Sequence, residues 1–70
     1  MVFFNHTQIS ASTTWTINHN LNNPLVGCDV YVHDNGVLEK ILPLNVVTTS
    51  NNTLTINFSS ARAGNARVVG

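Results

Sequence analysis

TTWTINHNL, residues Thr13 to Leu21, reads as a strand running into a turn. Trp15 and Ile17 alternate with Thr14, Thr16 and Asn18. A period of two describes a strand with one buried and one wet face. His19, Asn20, Leu21, Asn22, Asn23 and Pro24 follow. Asn tolerates left-handed backbone angles and caps turns with its own side chain, so the change of direction has a cause in the chain. Trp15 reads as the centre of the core, and Leu21 as the plug beneath the turn. The alternative for Trp15 is an exposed platform for a sugar ring. Burial is favoured in so short a chain, because an aromatic contributes most when water is excluded from it.

Working outward, Val2, Phe3 and Phe4 form an apolar cluster that predicts a short edge strand or arm. If that arm is extended, Phe3 and Phe4 point to opposite faces, so at least one faces outward. The outward ring is either a contact for a partner or is folded under a loop. Gln8 to Ser12 are small and polar around one anchor, Ile9. On the other side of the turn, Leu25 to His33 alternates again. Val26, Cys28, Val30 and Val32 share one parity, with Cys28 behaving as a small hydrophobe. Gly27, Asp29, Tyr31 and His33 take the other. Asn35-Gly36 between alternating runs predicts a hairpin. Val37 to Leu42 is the return strand, closed by Pro43. Leu44 to Thr49 is β-branched and predicts another strand. Ser50-Asn51-Asn52 is a turn, and Thr53 to Phe58 alternates with Leu54, Ile56 and Phe58 inward. Ser59 to Asn65 reads as a connection of small residues, with room for one helical turn at Ser59 to Ala63. Ala66 to Val69 is the last strand.

These segments predict one all-β domain over residues 1–70: a small antiparallel β-sandwich, Ig-like in outline, with about seven short strands. Its expected core is Trp15, Ile17, Val30, Val32, Leu54, Ile56, Phe58 and Val68.

Composition narrows the function. The chain has 70 residues and zero formal net charge, with three basic and three acidic side chains. Nucleic-acid binding needs clustered Lys and Arg, and three scattered ones do not supply that. A basic amphipathic face for a membrane surface is also missing, as is an apolar run long enough to span a bilayer. MVFFNHTQ has neither the positive nor the apolar region of a signal peptide. Asn, Thr and Ser supply 24 residues, and Asn alone 11. Amides and hydroxyls therefore carry solubility, a balance associated with extracellular and virion β proteins.

A chain of this length buries only about 60% of its unfolded surface. One cysteine permits no internal disulfide, and no Cys/His pair has zinc-finger spacing. The remaining staple is association, with copies of itself or with a larger surface. Val2, Phe3 and Phe4 are the candidate contact, with Val68 and Val69 beside them if the termini meet.

Chemistry is sparse. Asp34 belongs to the hairpin turn. Asp29 and Glu39 are on strands that could pair, but two carboxylates alone do not make an acid–base site. No nucleophile motif accompanies the Ser, His and Asp residues. No catalytic residue, cofactor site or metal site is therefore assigned. His6, His19, His33 and Cys28 lack ligand-pair spacing, and ring bonds to nearby backbone are the expected fate of each His. One His per chain on a threefold axis would still be able to build a metal site. N-x-S/T triplets at Asn5, Asn51 and Asn57 are set aside for want of a leader. Tyr31, beside Asp29 and His33, has the chemistry of a glycan contact or of a protein contact.

HTQ (His6 to Gln8), TTWTINHNL, Asn35-Gly36 and SNNTLTINFSSARAGNA (Ser50 to Ala66) together resemble a small β module of tailed-bacteriophage virion proteins. Such modules end tail fibres and occur in baseplate and other appendage proteins, including those of cyanophages. The matching positions are Trp15, Ile17, His19, Leu21, Asn52, Thr53, Leu54, Phe58, Ser59, Gly64 and Ala66. Asn22-Asn23 departs from the pattern, where Gly is frequent, and the chain opens at Met1 rather than following a long fibre. The resemblance implies a non-enzymatic structural protein of the virion, assembled in the host bacterial cytoplasm. A free-standing copy is expected to dock on a major capsid or tail protein, as a capsid decoration (cement) protein or an appendage subunit. A homo-oligomer, a trimer by analogy with phage appendages, is also implied. The rival expectation is a receptor-binding module at a fibre tip, holding a host-surface glycan through Tyr31 and His33.

Overall fold

The computed structural model describes residues 2–70. Five antiparallel strands form one sheet: β1 (Phe3–Asn18), β2 (Gly27–Asp34), β3 (Val37–Ile41), β4 (Asn45–Thr48) and β5 (Thr53–Val69). The sheet order is β1-β5-β2-β3, and β4 pairs with β5 off that path. No helix occurs among the described residues, so Ser59 to Ala63 is not a helical turn.

The strand count is five and not seven because two expected connections stay in the ladder. Residues 9–12 join the arm to the Trp15 strand within β1, and 59–65 join the last two segments within β5. Sixteen residues of straight strand would reach about 50 Å. The molecule extends only 35 × 22 × 18 Å, so both long strands bend. The bend is a pair of opposed bulges. From Gln8↔Gly64 to Ser12↔Arg62, β1 advances four residues against two on β5. From there to Thr14↔Asn57, β1 advances two against five. Extra residues on each strand in turn bend a ladder without ending it.

β5 is the hub. Its first half lies between the Trp15 end of β1 and β4, and its second half between the Phe3 end of β1 and β2. Inward residues from both halves form one buried cluster: Trp15, Ile17, Val30, Val32, Leu54, Ile56, Phe58, Ala66 and Val68. All eight expected core residues are in it, and Ala66 is added. Trp15 is fully buried. Its Nε1–H donates to the Arg62 carbonyl at 3.0 Å, and its ring meets that of Phe58 at 4.7 Å, tilted by 57°. Burying the ring with its one polar atom paired is the favourable arrangement for Trp. It leaves no platform for a sugar.

Asn chemistry makes the turns. Asn20 and Asn22 have positive φ, as do Asn35 and Gly36 in the two-residue turn that closes Asp34↔Val37. The turn after β1 docks on Asn52. The Asn52 carbonyl accepts from the His19 and Asn20 amides, and its side-chain oxygen accepts from the Asn22 amide at 2.8 Å. Leu21 packs half-buried against the core, as expected of a plug.

Candidate functional site

The β2–β5 register places Asp29, Tyr31 and His33 on the face opposite the core residues Val30 and Val32. Tyr31 is half-buried, between Asn65 of β5 and Lys40 of β3. His33 is exposed and pairs with Leu38. Lys40 Nζ is 3.3 Å from the Asp29 carboxylate, with both side chains about half exposed (58% and 49%). A pair so exposed to water contributes little to stability. Asn65 Nδ2 donates to Thr7 Oγ1 at 3.1 Å. The result is a largely polar outer face with two aromatic rings in it, Tyr31 and, at the end of β1, Phe3.

Asp29 is on this face, whereas Glu39 pairs with Val32 and shares the core-side face. The two carboxylates therefore do not converge on one substrate. The three His rings are also apart in role. His6 Nε2 shares a hydrogen bond of 2.8 Å with the Gln8 side chain. His19 is buried, and its Nδ1 accepts from the Leu21 amide at 3.0 Å while Nε2 has no partner among the described residues. Among the described residues, only His19 makes the expected ring bond to backbone. Among the described residues, no three His, Cys, Asp or Glu side chains stand close enough to hold a metal ion. Burial, and secondarily the neighbouring Asp29 carboxylate, pushes the Cys28 thiol up to about 11. A thiol so reluctant to ionise is a poor nucleophile at neutral pH.

The termini meet: Phe3 pairs with Val69, and the Gly70 amide donates to the Val2 carbonyl at 3.0 Å. Val2 and Phe3 are exposed, and the Arg67 guanidinium caps the Phe3 ring at 4.5 Å. Phe4 turns inward against the core, and Val69 is half-buried. Val68 needs correction as a contact. It is fully buried, since it faces the core between Phe4 and Cys28, and offers nothing to a partner.

A further surface has no counterpart among the expected sites. Val37, Leu38, Leu42, Leu44, Val46 and Val47 are all exposed, Leu42 at 94%. The segment borders a cavity of about 200 Å³ lined by Ile41, Leu42, Pro43, Leu44, Phe58, Ser59 and Arg62. The sequence hint was the non-alternating run Ile41-Leu42-Pro43-Leu44, where apolar residues on both parities leave some uncovered. Comparison with family models, curated proteins and solved structures finds no match to this chain.

Proposed function

We propose that this chain is a non-enzymatic structural protein of a tailed-phage virion. It is a small accessory subunit docked on a major capsid or tail protein, as a capsid decoration protein or an appendage subunit. The virion setting comes from the resemblance over His6–Gln8, Thr13–Leu21 and Ser50–Ala66. The observation that carries the docking role is large apolar side chains left in water at projecting points. Ile9 at the bulge and Leu25 after the Asn turn are 87% and 86% exposed. A partner surface would supply the burial that a chain of this size lacks. In this reading residues 1–70 are one domain and the bent sheet is a two-layer sandwich, its halves enclosing the Trp15 cluster. Docking through Val2 and Phe3 then uses the paired termini as one contact.

Quantitative mass spectrometry of purified virions tests this. Many copies that follow the capsid protein indicate decoration, and few that follow the tail indicate an appendage subunit. Absence from the particle overturns the reading.

A receptor-binding role is favoured by one arrangement, Tyr31 set between Asn65 and Lys40 beside exposed His33. An aromatic edged by hydrogen-bonding side chains suits a sugar. Binding on a host-glycan array, lost in Tyr31→Ala, would support that role over docking.

A further inference from the structure

We infer that the flank Val37–Val47 is a self-association surface, which two copies bury against each other about a twofold axis, with Glu39 of each copy reaching Arg62 of the other. The pairing is separate from attachment to a virion and is decided on the free protein.

The amount of surface is the first argument. Leu42 and Leu44, which line the cavity, and Val37 and Val46, which their partners Asp34 and Ile56 place on its side of the sheet, are exposed, whereas Leu38 and Val47 face the other way. These four offer on the order of a few hundred Å², the apolar part of one side of a stable interface at about 800 Å² per partner. The cavity is the second. At about 200 Å³ it exceeds the roughly 150 Å³ that holds a benzene ring, so one aliphatic side chain fits. Leu42, almost wholly in water on its rim, is the knob that a second copy would insert.

Charge chooses the occupant. The chain has three acids. Asp29 is paired with Lys40, and no other ion pair forms among the described residues. Among the described residues Asp34 and Glu39, both on the β2–β3 hairpin, therefore have no cationic partner. Arg67 lies over Phe3. Arg62, on the cavity wall, pairs with no carboxylate among the described residues. The β2–β3 register puts Glu39 on the same face as Ile41, which lines the same cavity. Knob, hole, acid and base thus share one continuous surface. A surface that carries both halves of each contact is self-complementary, and twofold pairing satisfies both at once.

Edge-to-edge pairing of β3 is the competing geometry. Glu39 and Lys40 at the middle of that strand argue against it. A twofold antiparallel register centred there sets like charges opposite each other, and such charges blunt an edge. The contact is therefore made by the face.

Sedimentation of the full chain over a concentration series is the test, with far-UV spectra as a control for folding. The wild type is expected as a monomer–dimer equilibrium. Leu42→Asp, at a position that contributes little to the fold, is expected to be monomeric. Arg62→Glu and Glu39→Arg should each weaken the dimer about tenfold, and the combined reversal should recover most of that loss. A monomeric or trimeric wild type overturns the proposal. So does a dimer indifferent to Leu42→Asp, or a double reversal no better than the single changes.

Discussion

A side-chain carbon at position 64 would stand 2.7 Å from the Val32 Cα and closer still to the Tyr31 carbonyl oxygen. Both obstacles are backbone, so β2 would have to move off β5. Gly64→Ala is expected to cost about 3 kcal/mol, read as a lower urea midpoint with an unchanged slope. Gly36, with φ +81 and nothing near its absent side chain, makes a useful contrast, because only its backbone angle is at stake. Cys28 gives a pH prediction. Its thiol is raised from 9.0 to about 11 in the folded chain, so the folded state holds its proton more tightly than the unfolded state. That contribution is fully present below about pH 9 and is lost as pH rises through about 11. Wild type should lose more stability than Cys28→Ala across that window, measured as the change in urea midpoint. Much of this scale was legible in the sequence. Alternation identified the eight core side chains, because period two fixes which face each occupies. The buried His19 and the acceptor role of Asn52 were not legible, since both depend on which turn lies beside which.

Elements were legible where turn chemistry is explicit. Asn35-Gly36 gave the β2–β3 hairpin with its register, since positive φ at both central positions leaves few residues able to serve. The merging of short strands into β1 and β5 was not legible. Ser10, Ala11 and Ser12, like Ser59, Ser60 and Ala61, neither alternate nor bury a side chain, and read as loop. Small residues also let a paired ladder bend sharply, and that use prevailed. The hairpin invites a test. β3 is exposed at every position but Ile41, so it adds little to global stability. Gly36→Ala should therefore speed hydrogen exchange of the β3 amides markedly. Its effect on the global urea midpoint should correspond to no more than about 1 kcal/mol. An equal loss in both measures would mean that the hairpin folds as one unit with the core.

At the scale of the whole molecule, β1 and β5 each run through both halves of the sheet. Neither half can open without breaking a strand that the other shares, so unfolding should be a single transition. Trp15 fluorescence and the far-UV signal should follow one urea curve, and separated midpoints would refute this. The outer surface was the least legible part, because a sequence shows which residues are apolar but not which remain uncovered. The adjoining termini also have a mechanical consequence. In an antiparallel ladder, force applied between Val2 and Gly70 parts β1 from β5 one residue pair at a time. Force applied between Val2 and Asn52, at opposite ends of the same ladder, loads all the pairs together in shear. In an optical trap the first geometry should rupture at clearly lower tension than the second. The domain would then be strong along its long strands and weak where its ends meet, like a zip fastener gripped at its open end.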